Sequence, residues 1–432
     1  MITPWRTPVL LLSLLLSPQL YAASEPAAEA RNGMVVSSQH LASQAGADIL
    51  KAGGNAVDAA VAVGYAQAVV NPCCGNIGGG GFMTLHLADG KNIFINFRET
   101  APASASADMY LDKDGNLIKD ASLYGYLAAG VPGTVKGLDY ALEKYGTMKR
   151  EQVMAPAIKL ARDGFILTRA DTDVLDTTTA RFKQDPEAAR IFLKPDGSAF
   201  QPGDRLIQTD LANTLERIAK EGPPAFYEGD IPQIVEKASQ AGGGKLTAKD
   251  FADYTISEVA PITCTYRGYE FISAPPPSSG GVTICQTLNI LEGYDLKAMG
   301  FNSADYIHTL TEAMRHSYMD RNTFLGDPAF VKNPTEKLTS KAYAEELRKE
   351  IIPGKATPSA QVQPGTGPHE KPETTHYSVV DNKGNAVSTT YTINGRFGAV
   401  VIPPGTGFFL NDEMDDFTTK IGEKNMYGLV QG

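Results

Sequence analysis

Apolar and polar positions change period several times along the 432-residue chain, and each change predicts an element. Residues 39–70 are alanine-rich and helical in pattern, broken once at Gly53-Gly54-Asn55, which predicts two helices meeting end to end. Residues 82–87 and 92–97 alternate with period two around Ala88-Asp89-Gly90-Lys91, the pattern of a hairpin. Helical periodicity then dominates residues 134–250, where segments such as LANTLERIAKEG close on glycine. Strand signals return over 264–272, and beyond the rigid turn PPPSSGG helices are predicted over 282–291 and 303–321. Residues 352–373 lose periodicity and are rich in Pro, Gly, Gln and Thr, which reads as an exposed or mobile connector. Two more strands follow, 374–380 and 386–393, joined by Asp381-Asn382-Lys383-Gly384-Asn385, strong turn chemistry. Helices in the middle and strand pairs towards both ends predict an α+β protein, with helices packed on antiparallel sheet rather than a doubly wound parallel fold. No repeat shows at solenoid periods.

Length alone suggests roughly three domains, unless large α/β layers absorb it. The net charge is −10, and Lys and Arg are interspersed with Asp and Glu, so no nucleic-acid footprint emerges and a small-molecule partner is expected. The first 23 residues carry Arg6, an apolar run over 9–16, and small Ala22 and Ala23. This is the pattern of an export signal, with an apolar run far below the ~18 residues a membrane span needs. The mature chain, from residue 24, is therefore expected to be periplasmic or secreted. Four cysteines would be free to pair there. Neighbours such as Cys73 and Cys74 rarely bridge, the spacing allows Cys264 with Cys285, and buried free thiols are the leading expectation.

The adjacent threonines that open the 374–380 strand admit two readings. Threonine is β-branched and suits strands. Alternatively, the chain is cut before Thr374, and the new α-amine, with an unperturbed pKa of about 7.7–8.0, serves as base for the hydroxyl of the same residue. No histidine is then needed, which agrees with a chain holding only six. A hairpin centred on Lys383 puts Thr374 opposite Thr392, with Asn394 diagonal to it on the same face, and a slip of half a residue puts Thr374 opposite Ile393 instead. Other motifs carry less. Gly78–Gly81 has no following Lys-Ser/Thr and leads into a strand, so tight packing fits better than phosphate binding. His308, Glu312 and His316 share a helical face without forming HExxH, and Ser278 and Ser279 lack a nucleophile elbow.

ETTHYSVVD, GNAVSTTYTIN and GFFLNDEMDDF, preceded in order by AGGNAVDAAVA, GNIGGGGFM, FRETAPASA, GVPGTVKGL, PPPSSGG and DRNTFLGDP, resemble the γ-glutamyltranspeptidase (glutathione hydrolase) family across essentially the whole mature chain. The resemblance implies an N-terminal nucleophile hydrolase with a four-layer αββα core. It also implies self-cleavage at Glu373–Thr374 into a large subunit, residues 24–373, and a small one from Thr374. Thr374 would be the nucleophile, Thr392 its supporting hydroxyl and Asn394 a substrate-contacting amide. Arg98 would take the substrate α-carboxylate, a role that suits a bidentate guanidinium. Glu413 and Asp416 would take the α-ammonium, leaving Asp412 and Asp415 as members of an acidic turn, and Tyr427 would be a lid residue. Bacterial relatives often carry Gln where this chain has Glu413.

The implied reaction is γ-glutamyl transfer from glutathione or related amides to Thr374, then to water or to an amino acid or dipeptide acceptor, without cofactor or metal. Two alternatives remain: a cephalosporin or glutaryl amidase of the same fold, and a non-catalytic periplasmic binding or assembly protein. Family members continue beyond the position of Gly432, through a Pro-Leu-Ser-Ser-Met segment and a Gly-Gly oxyanion pair. The expectation is therefore a C-terminally truncated chain, with an incomplete small subunit over 374–432 and impaired stability or activity.

Overall fold

The computed structural model describes residues 27–358, 374–417 and 419–420. Residues Met1–Asn32 form one unit and Gly33–Gly432 another. Of the first, only 27–32 are described, and they carry neither helix nor strand. The export segment and the bond before Thr374 lie outside the described residues.

In the larger unit, β1 (Gly33–Val36) leads to α1 (His40–Lys51) and α2 (Ala56–Val70), the two helices expected around the glycine break. Asn55 caps α2 in a reciprocal capping box with Asp58. Every α2 residue is buried, Asp58 and Gln67 included, as a helix made mostly of Ala and Val requires. Gly46 of α1 makes close contact with it, since a Cβ there would lie 2.6 Å from Val63. The hairpin β2 (Gly80–His86) and β3 (Asn92–Phe97) follows, then α3 (Thr134–Tyr145) and α4 (Arg150–Asp163). Two short strands, β4 (Phe165–Ile166) and β5 (Arg205–Leu206), pair within the helical region.

Strand β6 (Ser257–Val259) precedes a separate hairpin, β7 (Ile262–Tyr266) and β8 (Tyr269–Ser273), and the last pair is β9 (Thr375–Asp381) with β10 (Ala386–Thr392). The principal sheet runs β1-β9-β10-β2-β3-β6, antiparallel throughout. Its inner face, including Tyr377, Val379, Val387, Tyr391, Met83 and Leu85, is buried with the helices in one apolar core. Tyr391 donates from its hydroxyl to the Gly64 carbonyl of α2 at 2.8 Å.

The α+β class and the antiparallel pairing agree with the pattern of the sequence. Among the described residues, only one sheet exceeds two strands, so a second large sheet for a four-layer core is not among them. Strands β1 and β6 were not expected. The leading expectation of free thiols fails, since no described cysteine is free: Cys264 bridges Cys285, the pairing that the spacing allows, and Cys73 bridges Cys74, which was not expected. Spacing counts against a bridge between neighbours, but both pairs sit where the backbone already brings the sulfurs together.

Candidate active site

The β9–β10 hairpin has the register expected from a turn centred on Lys383, with Val380 opposite Ala386 and Thr375 opposite Tyr391. One step further along, Thr374 faces Thr392. Its Oγ1 donates to Thr392 Oγ1 at 3.3 Å, and Thr392 Oγ1 also accepts the N–H of Asn394 at 2.9 Å. Thr374 is exposed and Thr392 buried, so the outer hydroxyl meets solvent while its partner is fixed from behind.

Asn394 has φ of 70°, a left-handed backbone that asparagine tolerates better than most residues. Asp412 holds that conformation in place. Its carbonyl accepts Asn394 Nδ2 at 2.9 Å, its Oδ1 accepts the Gly395 N–H at 2.7 Å, and its own N–H donates to the Ile393 carbonyl at 3.1 Å. Burial pushes the Asp412 carboxyl well up, against the pull of the Gly395 N–H. Asp415, equally buried, accepts from Ser122 Oγ at 2.6 Å. Both belong to the acidic turn that the sequence suggested, and both are buried there.

Extending the pairings of β10 with β2 and of β2 with β3 places Thr374, Thr392, Gly80 and Arg98 in one row across four strands, on one face. Three strand spacings set the Thr374 and Arg98 backbones about 14 Å apart. Gly80 contributes no side chain between them, and Arg98 reaches back over the Phe82 ring, 5.7 Å from its centroid. That separation, spanned in part by the Arg98 side chain, suits a short acyl chain ending in charged groups.

The Arg98 guanidinium binds Glu413 Oε1 and, at 2.9 Å, Asp416 Oδ2, with Glu99 Oε2 at 3.6 Å from its other nitrogen. Its carbonyl accepts from Tyr254 Oη at 2.8 Å. Burial works against the Arg98 charge, but Glu413, Glu99 and Asp416 outweigh it and hold the guanidinium protonated. For the acids the balance is reversed. Burial raises Glu99 to about 7 despite Arg98, and raises Glu413 well above the carboxylate range. Asn411 secures this corner: its amide nitrogen donates to the Gly78 and Gly130 carbonyls, and its oxygen accepts the N–H groups of Gly130 and Glu413. The glycine run packs as expected, since a Cβ on Gly79 would fall 1.9 Å from the Thr392 carbonyl oxygen.

Six expected site residues, Thr374, Thr392, Asn394, Arg98, Glu413 and Asp416, thus fall around one row and its rim. Glu373 and Tyr427 lie outside the described residues. Sequence reasoning missed Glu99, Asn411 and Asp412. Glu99 was readable, because strand alternation turns the residue after Arg98 back towards the interior. His308, Glu312 and His316 are occupied elsewhere: His308 bonds the Ile352 carbonyl, Glu312 accepts from Thr357, and His316 lies 4.0 Å from Glu350.

Residues 42–432 match the gamma-glutamyltranspeptidase family model. The chain is 56% identical over 413 residues to a glutathione hydrolase proenzyme of Pseudomonas sp. (strain A14), covering 96% of this chain and 72% of that protein. It superposes on the Helicobacter pylori gamma-glutamyltranspeptidase crystal structure with a TM-score of 0.76 at 44% identity, over 80% of this chain and 99% of the other. The cephalosporin acylase of Bacillus halodurans gives a TM-score of 0.80 at 29% identity, over 96% and 77% of the respective chains. With its sequence matched over nine-tenths of its length and its fold superposing on solved members, the chain belongs to the gamma-glutamyltranspeptidase family.

Proposed function

We propose that this chain is the precursor of a γ-glutamyl hydrolase and transferase, exported with loss of residues 1–23 and cut at Glu373–Thr374 into a large subunit of 24–373 and a small one that begins at Thr374. In the uncut chain, Thr374 Oγ1 attacks the carbonyl of the preceding residue, the amide C–N bond breaks so that the Thr374 nitrogen becomes a free α-amine, and hydrolysis of the resulting ester separates the two chains and restores the hydroxyl. That amine then takes the proton from Oγ1 in turnover. Thr392, already bonded to Oγ1 and fixed by the Asn394 N–H, orients the attacking oxygen. Attack on the γ-amide of glutathione forms a γ-glutamyl ester and releases cysteinylglycine. Water or an amino acid or dipeptide acceptor then takes the acyl group, giving ping-pong kinetics.

The single observation that carries this reading is the row from Thr374 to Arg98, with a hydroxyl at one end and a guanidinium among carboxylates at the other. A zwitterion fits that far end by exchange: its α-carboxylate replaces Glu413 and Asp416 on Arg98, and its α-ammonium takes the carboxylates released. The same carboxylates argue against the glutaryl amidase alternative, because a glutaryl group has no ammonium for them.

Intact mass and N-terminal sequencing test the reading, together with turnover of γ-glutamyl- and glutaryl-p-nitroanilide. A new terminus TTHYSVVD, absent in Thr374→Ala, and preference for the γ-glutamyl substrate are expected. An intact wild-type chain that binds γ-glutamyl compounds without turnover would instead favour a binding protein.

A further inference from the structure

The Cys73–Cys74 bridge lies in the loop from α2 to β2. A link between neighbours closes almost no loop, so it contributes little stability through chain entropy. Cys264–Cys285, with a separation of 21 residues, closes a real loop and gains stability by the same argument. What the neighbour bridge constrains is a stretch that meets the residues flanking the hydroxyl pair along three routes. The Cys73 carbonyl accepts the N–H of Phe397 at 2.8 Å, in the segment just after Asn394 and Gly395. Asn71 Nδ2 donates to Ser38 Oγ at 3.0 Å, and Ser38 Oγ pairs with Thr375 Oγ1, also at 3.0 Å. Gly75 abuts the hairpin directly, since a Cβ there would lie 2.5–2.7 Å from Tyr391 and Thr375. Cys73 is buried and Cys74 half-buried, so a reagent from solvent meets Cys74 first.

We propose that Cys73–Cys74 is a thiol-exchange site that takes a low-molecular-weight thiol at Cys74 Sγ and couples its own opening to the Thr374–Thr392 pair. The choice of cysteinylglycine or glutathione as that thiol rests on the function proposed above, whose substrate and product both carry one. In the first step the thiolate attacks Cys74 Sγ, a new S–S bond forms, the Cys73–Cys74 bond breaks, and Cys73 Sγ leaves with the electron pair and takes a proton from water. The mixed disulfide then has two fates. Cys73 thiolate can attack Cys74 Sγ, expel the small thiol and restore the bridge. A second small thiolate can attack the outer sulfur, leaving two cysteine thiols and one oxidised small-molecule disulfide, a balanced two-electron exchange.

The test incubates the purified chain with excess cysteinylglycine, quenches with acid and alkylating agent, and maps the 73–74 peptide by mass while hydrogen exchange is followed over 374–394. A mixed disulfide or alkylated dithiol is expected, together with faster exchange in the hairpin, and both reverse on reoxidation. Turnover of γ-glutamyl-p-nitroanilide, which carries no thiol, should fall about three- to tenfold, the scale of a small displacement of a reacting group. A Cys73→Ser, Cys74→Ser double variant should show the faster exchange from the outset and no response to thiol. Cys264→Ser with Cys285→Ser should respond as the parent does. The proposal is overturned if the 73–74 bridge survives thiol that opens Cys264–Cys285, or opens with hairpin exchange unchanged. A chain that never turns over the anilide would refute the functional reading, and the mass and exchange results would still decide the bridge.

Discussion

Arg98 faces three carboxylates, Glu99, Glu413 and Asp416, with one positive charge. A lysine there would keep the charge but lose the planar fork that engages two oxygens at once. Arg98→Lys is therefore expected to raise KM for γ-glutamyl-p-nitroanilide about 10- to 100-fold, with a smaller change in kcat, the loss of one charge-assisted bidentate contact. Steady-state kinetics decide this, and an unchanged KM would place substrate recognition elsewhere. Glu99 gives a test in stability. Its carboxyl has an ordinary value of 4.5 and is raised to about 7 in the fold, chiefly by burial. Over that interval the unfolded chain ionises before the folded one, so stability falls as pH rises from 4.5 and the loss is complete above 7. Glu99→Gln should thus stabilise the chain by about 1–3 kcal/mol at pH 8 and by nothing at pH 4.5, read from denaturant unfolding at the two values. Arg98 and Thr374 were legible from their neighbours in sequence. The charge imbalance was not, because it joins the end of β3 to a turn more than three hundred residues away.

At the scale of elements, the β9–β10 hairpin was legible almost to the residue, since its turn chemistry and its alternation agree. Its anchorage was not. Asp381 Oδ1 accepts the N–H groups of Lys383 and Asn385, while Oδ2 accepts from Asn385 Nδ2 and from the Ala56 N–H at the start of α2. One carboxylate thus closes the hairpin and caps the central helix. Burial raises its pKa, but these hydrogen bonds prevail and hold it below the usual value of 3.8. The depressed value means that its stabilisation is present in full above the ordinary carboxylate range and is lost as pH falls through the folded value. Asp381→Asn should cost about 1–3 kcal/mol at pH 7, with the difference between wild type and variant shrinking as pH falls below the ordinary carboxylate range. Parallel urea titrations check it, and a pH-independent difference would show that shape rather than charge matters. The strands β1 and β6 escaped sequence reading for a plainer reason. Four and three residues, GMVV and SEV, are too few for periodicity to register, and only their pairing with β9 and β3 makes them strands.

Across the whole molecule, apolar burial is not continuous. The large core joins the principal sheet to the helices around α2. Residues from Ile262 to Ile351 instead bury two small clusters of their own: Ile290, Leu291, Ala313, Ala344, Leu347 and Ile351 in one, and Ile262, Val282, Cys285 and Leu338 in the other. This lobe joins the sheet through β6, and its 21-residue helix Ala304–Phe324 holds Thr357 by two hydrogen bonds to Glu312, just before the chain runs on towards Thr374. Small clusters are the low-stability end of a fold, and should open without carrying the main core with them. Leu291→Ala, which removes a buried side chain from the first cluster, should cost the lobe about 2–4 kcal/mol. Native-state hydrogen exchange should then show protection lost over Gly280–Leu291 and Ala304–Phe324, while amides of β2, β9 and β10 keep theirs. If the sheet loses protection in step with the lobe, the two cores unfold as one cooperative unit, and the Thr374 hairpin inherits its stability from the whole chain rather than from the sheet and α2.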